Sequence, residues 1–297
     1  MGLRYGDPMG APAVVVRPVS AGDAWAVSRF LHQHLNPRVS ADAWSLLLAP
    51  PWKADAPNHG FQLLDGDRIV GVYAAVYSER EIGGEPVPFC NLAAFCVLEE
   101  YRPHSLRLVR ALLGQKGFVF TDLSPSGNVI ALNERLGFQR LDTATTLVAN
   151  LPRPAGRGTR VTTAPAVLDR VLTGRDAEVY RDHRQAPAAQ HLLVGRDGAH
   201  GYLMFRRDRR KRLPLFATPL YAGGDAGCLE AAWPAVAAHL LLRHGLPLTL
   251  AERRILGFTP GGPGRVLAQP RPKMFRAEHV GPESIDHLYS ELTLVRW

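Results

Sequence analysis

Residues able to handle a proton or a phosphate are concentrated in one short stretch, "FCVLEEYRPHSLRLVRALL" (95–113). Glu99 and Glu100 end an apolar run, and Arg102 and Arg107 lie in the turn that follows. A carboxylate can take a proton from an ammonium group, and a guanidinium can hold a phosphate. The stretch therefore predicts a base beside a phosphate site, although two acids at a strand end also fit an ordinary solvated surface.

The elements that would position these residues are a strand before them and a helix after them. The apolar run at 95–98 is typical of a strand, and the apolar spacing in 105–116 predicts a helix that ends at Gly117. A helix that starts directly after a strand presents unpaired amides and the positive end of its dipole, which attract a diphosphate. A second strand and helix are predicted at "FVFTDL" (118–123) and "SGNVIALNERLGF" (126–138).

The rest of the first half predicts a mixed α/β sheet. "FQLLDGDRIVGVYAAVYSER" (61–80) reads as two strands joined by a turn at 65–67, and "QRLDTATTLVANL" (139–151) reads as a closing strand. Because strands and helices alternate in both orders, we expect strands of both orientations in one sheet.

A segment rich in proline, glycine and arginine, "LPRPAGRGTRVTTAP" (151–165), divides the chain into nearly equal halves. In the second half, the order hairpin, third strand, helix, strand repeats the order of 61–122. We therefore expect two domains, residues 1–152 and 153–297, of which the second is a diverged copy. The apolar and aromatic segment from Pro272 onward is expected to dock as a short helix and strand that complete a sheet.

Composition narrows the classes of function. The chain has 297 residues, a formal net charge of +8 and three cysteines. No apolar run of about 18 residues predicts a membrane span, and so few cysteines favour a reduced, cytoplasmic protein. The positive charge favours anionic partners, but the basic run "FRRDRRKRL" (205–213) lacks the interleaved aromatic residues of a single-strand binder. A nucleic-acid partner is therefore not expected, whereas an acidic carrier protein fits the same surface.

Two passages resemble the GNAT acyl-CoA N-acyltransferase superfamily. "VLEEYRPHSLRLVRALL" (97–113) follows the position and spacing of the family's strand–turn–helix motif. "ALNERLGF" (131–138) follows the end of a second motif, with Leu132, Gly137 and Phe138 in register. The resemblance covers about residues 14–150 and extends faintly into the second half. It implies an α/β fold of two tandem GNAT-like domains, with a degenerate second copy.

The resemblance also implies a co-substrate, an acceptor and a set of binding residues. The co-substrate would be acetyl-CoA or another acyl-CoA, and the acceptor a small-molecule or peptide amine. The family's turn holds the CoA diphosphate, and the strand before it exposes main-chain groups to the pantetheine arm. Two glycines of that turn are replaced here by Ser105 and Arg107. The implied cofactor-binding residues are Phe95, Cys96, Val97, Arg102, His104, Ser105, Leu106, Arg107 and Asn128.

The catalytic residues implied in this way include one departure from the family. Asn133 occupies the position of a tyrosine that protonates the leaving thiolate, and an amide cannot supply that proton. Glu99 or Glu100 would serve as the base for the amine. Three alternatives remain open: transfer from an acyl-carrier protein, a non-catalytic binding module that kept the fold, and an acyl-cysteine route through Cys90 or Cys96. Cysteines in a sheet are ordinarily core residues.

Overall fold

Two seven-stranded sheets form the framework of the chain in a computed structural model that describes residues 14–154, 156–210 and 213–296. The strands, in chain order, are β1 (Val15–Pro18), β2 (Gly60–Asp65), β3 (Arg68–Ile82), β4 (Glu85–Val97), β5 (Val119–Asp122), β6 (Gln139–Arg140), β7 (Thr145–Ala149), β8 (Arg160–Thr162), β9 (Gln190–Arg196), β10 (Ala199–Arg210), β11 (Leu213–Gly224), β12 (Leu248–Glu252), β13 (Gly264–Val266) and β14 (Met274–Arg276). The spatial orders are β1-β2-β3-β4-β5-β14-β6 and β13-β7-β12-β11-β10-β9-β8.

Helices cover both faces of the sheets. They are α1 (Ala24–His34), α2 (Ala41–Ser45), α3 (Ser105–Leu113), α4 (Gly127–Arg135), α5 (Pro165–Val171), α6 (Gly174–His183), α7 (Cys228–Ala231), α8 (Trp233–His244), α9 (Arg253–Leu256) and α10 (Glu291–Leu294). Short 3₁₀ turns occupy Ala21–Asp23, Glu99–His104 and Pro282–Ser284. Of the helices described, none combines the length and the apolar character needed to cross a membrane.

The sheet around the predicted site is mixed, as the sequence indicates. β2, β3 and β4 form an antiparallel meander, and the predicted turn at 65–67 is confirmed, with Gly66 at φ 58°. β4 then pairs with β5 in parallel over only three positions, Phe89 with Val119 through Asn91 with Thr121. α3 provides the crossover between these two parallel strands.

The second sheet repeats this plan. β9, β10 and β11 form an antiparallel meander, and β11 pairs in parallel with β12 at Phe216 and Ala217. The antiparallel register breaks in the third strand of each meander, at Ala93 in β4 and at Leu220 in β11. A bulge at the equivalent place in both sheets supports the fold being present twice.

The two halves exchange their final strands. The predicted closing strand 139–151 forms two strands, because the chain turns at Asp142, whose carboxylate accepts the amide of Ala144. Its second part, β7, pairs with β12 and β13 in the second sheet, while β14 inserts between β5 and β6 in the first. The predicted boundary between 152 and 153 stays a prediction, and these strands cross it in both directions.

The C-terminal segment fills the space between the sheets. All four residues of α10 are buried. The guanidinium of Arg206 on β10 donates to the carbonyls of Leu292 and Val295, at 2.9 and 3.3 Å. On the other side, Arg80 of β3 pairs with Asp286 at 2.6 Å. One hydrophobic core therefore runs from α1 and α2 through this segment to α5 and α6.

Candidate active site

A cleft of about 570 Å³ opens where β4 and β5 separate. The two strands pair only as far as Asn91 and Thr121, and the chain beyond each diverges. The cleft is lined by residues of α2, β3, β4, β5, α4, the α1–α2 and β5–α4 connections and the segment before β14: Leu35, Asn36, Trp44, Tyr73, Leu92, Ala93, Ala94, Phe95, Asp122, Ser124, Pro125, Ser126, Val129, Arg271 and Pro272.

The wall formed by β4 can offer main-chain groups to a ligand. Beyond Asn91 the edge of β4 that faces β5 has no strand partner among the described residues. The bulge at Ala93 turns the main chain locally. Unpaired strand amides aimed into a cleft can stabilise the negative charge that develops on a carbonyl oxygen during acyl transfer.

Asp122 supplies a titratable group to the cleft, and it is not among the residues that the sequence patterns indicate. It is the last residue of β5 and is only 5% exposed. Burial, together with the nearby carboxyl of Glu291, raises the pKa of Asp122 to about 7. A carboxyl that titrates near neutral pH can both accept and return a proton. The available signal was an acid at the carboxyl end of an apolar strand.

Asn133 lies beside Asp122. The amide is 2% exposed, and its Nδ2 donates to Asp122 Oδ2 at 2.9 Å. Asn133 does not line the cleft. Its contact favours the ionised carboxylate of Asp122 and so opposes the effect of burial on the pKa. The geometry therefore gives Asn133 a positioning role, and its predicted contact with a leaving thiolate stays a prediction.

A second carboxyl, Glu291 of α10, is fully buried behind the cleft lining and contacts Asn91 of β4 and Ser124 of the lining. Asn91 Nδ2 donates to one of its oxygens, and Ser124 Oγ donates to the other at 2.6 Å. Thr121 Oγ1 donates in turn to Asn91 Oδ1 at 3.0 Å. Burial raises the pKa of Glu291. No local pattern connects a glutamate near the C-terminus with β4, so sequence reasoning could not have found this contact.

Two strand tyrosines that share a face have different surroundings. Tyr73 lines the cleft, and burial raises its pKa well above the usual range, which keeps its hydroxyl protonated. Tyr77 instead donates to Asn58 Oδ1 at 2.8 Å and accepts from Gln115 Nε2 at 2.9 Å. Of the two hydroxyls, that of Tyr73 is available to the cleft.

The acids predicted as bases lie outside the cleft lining. The side chains of Glu99 and Glu100 are 75% and 58% exposed, in the 3₁₀ turn that follows β4. Glu99 pairs with Arg102 at 2.7 Å, and Glu100 lies 3.8 Å from Arg68. Both acids fit the solvated strand-end alternative, and their role as base stays a prediction.

The predicted diphosphate turn keeps only part of its donors. The Ser105 amide donates to the Arg102 carbonyl within the 3₁₀ turn, and the Arg107 guanidinium donates to the Val14 carbonyl at 2.7 Å. His104 is half-buried at the start of α3, and Leu106 is exposed on its first turn.

The other predicted contacts to a cofactor arm lie on β4 and α4. Phe95 lines the cleft, while Cys96 and Val97 pair with Val72 and Gly71 of β3. Asn128 is in the first turn of α4, and its side chain lies outside what the structure describes.

The cysteines give no support to a covalent route. Cys90 is fully buried, and burial raises its pKa to about 12. Burial also raises the pKa of Cys96. Because the thiolate is the nucleophile, thiols held in the protonated form are poor candidates for acyl transfer. All three cysteines are free.

Solved structures with the same architecture are known, although no protein-family model and no curated protein sequence matches the chain. A GCN5-related N-acetyltransferase from Anabaena variabilis superposes with a TM-score of 0.58 at 14% identity, over 89% of this chain and 72% of that one. One from Kribbella flavida gives 0.55 at 13% identity, over 89% and 71%. A putative acetyltransferase from Pyrococcus horikoshii gives 0.50 at 14% identity, over 99% and 98%.

These matches cover nearly the whole chain, so they include both sheets. The separated parallel strands, the bulged neighbour and the crossover helix are present in the first sheet, and the second repeats the same order. At these identities the likeness establishes architecture. The chain therefore has the fold of these GCN5-related N-acetyltransferases, with its strands in two seven-stranded sheets of similar order.

Proposed function

We propose that the chain is an N-acyltransferase that moves an acyl group, such as acetyl, from acyl-CoA to an amine in the cleft between β4 and β5. The observation that carries the proposal is the separation of these strands beyond Asn91, with the Asp122 carboxyl in the resulting cleft. The fold likeness to N-acetyltransferases supports the same reaction class. Acyl transfer of this kind needs little more than an aligned amine, an oxyanion donor and a proton acceptor.

In the proposed reaction, the neutral amine nitrogen attacks the thioester carbonyl carbon. The carbon–nitrogen bond forms, the carbon–sulfur bond breaks, and the electron pair of that bond leaves on sulfur. The Asp122 carboxylate accepts the proton that the nitrogen loses and can return it to the departing sulfur. It can do both because its pKa of about 7 is close to neutral pH. Main-chain amides of β4 near Ala93 stabilise the carbonyl oxygen.

Tyr73 assists the departing sulfur in this scheme. Its protonated hydroxyl lines the cleft and can donate a hydrogen bond to the thiolate without giving up its proton. Such a donor replaces part of what a tyrosine at position 133 would supply. Replacement of Tyr73 by Phe should therefore slow turnover while the affinity for acyl-CoA is kept.

The test is release of free thiol from acetyl-CoA across a panel of amines, with coenzyme A binding measured separately by calorimetry. Asp122→Asn should lower kcat about a hundredfold or more, the usual contribution of a general base. Asp142→Asn is the matched control, because Asp142 is 68% exposed and has no part in the proposed reaction. If neither coenzyme A nor acetyl-CoA binds at millimolar concentration, or if Asp122→Asn turns over like the wild type, the proposal fails.

A further inference from the structure

A second cavity, of about 510 Å³, lies beside the cleft and between the two sheets. Its walls come from β10, β11 and β12 of the second sheet and from residues 267–273, which lead into β14. Ser124 and Arg271 line both this inter-sheet cavity and the cleft, so the two spaces adjoin. The volume is in the range of cavities that hold small organic ligands.

The inter-sheet cavity has an excess of positive charge. Its charged side chains, apart from a histidine, are Arg206, Asp208, Arg210, Glu252, Arg271 and Lys273. Each of the two acids already has a cationic partner within the protein.

The ion pairs within the protein leave two guanidinium groups of the cavity without a partner among the described residues. Arg206 Nε lies 2.9 Å from Asp208 Oδ1, and the ammonium of Lys273 donates to Glu252. The side chains of Arg210 and Arg271 make no ion pair or hydrogen bond with any residue in the described part of the chain. Guanidinium groups bind carboxylates and phosphates through two parallel hydrogen bonds, so an anion is the ligand that these two side chains fit.

Alternation along β10 places Arg210 on the face of the strand that lines this cavity. Every second residue from 206 to 210 lines it, namely Arg206, Asp208 and Arg210. Arg207 and Arg209 lie between them and do not line it, as strand geometry requires. β10 therefore offers a matched pair of exposed arginines, Arg210 beside the cavity and Arg209 on the opposite face.

A buried histidine adds a polar group without a partner. His287 lines the inter-sheet cavity and is fully buried, and its Nε2 lies 2.7 Å from Lys273 Nζ. Since the ammonium can only donate, Nε2 accepts, and a neutral ring then carries its proton on Nδ1. Nδ1 has no hydrogen-bond partner in the described residues.

We infer that the acceptor amine carries an anionic group, a carboxylate or a phosphate, which binds to Arg210 and Arg271 in the inter-sheet cavity while the amine reaches the cleft. This inference rests on the proposed acyl transfer, because it makes the cavity a subsite of that acceptor. Arg271 belongs to both spaces and would orient the acceptor between them.

Calorimetry with matched amines tests the inference without any need for turnover. The carboxylate arm compares ω-amino acids of increasing chain length with their primary amides, and the phosphate arm compares O-phosphoethanolamine with ethanolamine. The anionic member of a pair should bind about tenfold more tightly, the scale of one charge-assisted hydrogen bond. Arg210→Ala and Arg271→Ala should each remove most of that preference, whereas Arg209→Ala should keep it. Thermal unfolding of all three variants serves as the folding control.

The outcomes separate this inference from the proposed function. Equal binding of charged and neutral amines, or the same loss in Arg209→Ala as in Arg210→Ala, overturns it. Thiol release without any preference for an anionic acceptor also overturns it and leaves the acyl transfer in place. Charge-selective binding with no thiol release from any amine supports the anion site and refutes the acyl transfer, together with the acceptor role. The arm that shows the preference identifies carboxylate or phosphate.

Discussion

Replacement of Asn133 by Ala should shift the pH dependence of the reaction. Asn133 Nδ2 donates to Asp122 Oδ2 at 2.9 Å, and both side chains are nearly inaccessible to water. Loss of this donor destabilises the carboxylate relative to the protonated acid. A hydrogen bond to a charged group contributes about 1.5–3 kcal/mol, and one pKa unit corresponds to about 1.36 kcal/mol. The pKa of Asp122, about 7 in the wild type, should therefore rise by about one to two units.

The assay is kcat/KM for thiol release from acetyl-CoA over a wide pH range. Because the base must be ionised, the rate should fall on the acidic side with a midpoint near pH 7 in the wild type and higher in Asn133→Ala. Glu134→Ala is the control on the same helix, since Glu134 faces solvent and pairs with Arg140. A variant with an unmoved acidic limb would show that Asp122 is not the group that titrates.

A stability measurement checks the same carboxyl without turnover. Folding raises the pKa of Asp122 above its unfolded value, so its contribution to stability is complete below that unfolded value. The contribution is lost as the pH rises from the ordinary pKa of 3.8 through the folded pKa of about 7. Wild-type thermal stability should decline over this pH range, and Asp122→Asn should remove that part of the decline. The same slope in both proteins would contradict the raised pKa.

Three further predictions concern other parts of the chain. Arg102→Ala should weaken coenzyme A binding about tenfold by calorimetry, and Glu99→Ala, which frees this guanidinium from its 2.7 Å ion pair, should not; equal losses would remove Arg102 from the binding site. Lys273→Met should destabilise the protein by about 3 kcal/mol in denaturant unfolding, because the buried carboxylate of Glu252 loses a partner, and adding Glu252→Leu should restore part of the loss. Phe275→Ala in β14 should lower the free energy of unfolding by about 3–5 kcal/mol. Both sheets should still unfold in one cooperative transition, and two separate transitions would contradict the strand exchange.

The parts of the fold that depend on local sequence could be predicted. The turn at 65–67 and the strand-to-helix order around 95–113 follow from residues close together in the chain. The exchange of strands could not be predicted in the same way. β14 has only three residues, and nothing within it specifies which sheet edge it joins. That choice depends on the open edges of β5 and β6, which are distant in sequence.

The candidate site divides in a similar way. The sequence placed Phe95 on the strand that forms the cleft wall, and the structure puts it there. It did not select Asp122, because an acid after an apolar strand is ordinarily solvated, and here α4 and the C-terminal segment bury it. The motif indicates Asn133 by its position, whereas the burial of Asn133 and its contact with Asp122 depend on packing between elements.

The pairing of β5 with β14 has a consequence for synthesis of the protein on the ribosome. Asp122 can pair with Met274 only after most of the second half has been synthesised, and β7 likewise remains unpaired until β12 has been synthesised. Pairing between such distant segments forms slowly and leaves strand edges open to wrong partners. Chaperones that shield unpaired β-strands should therefore bind the incomplete chains during translation.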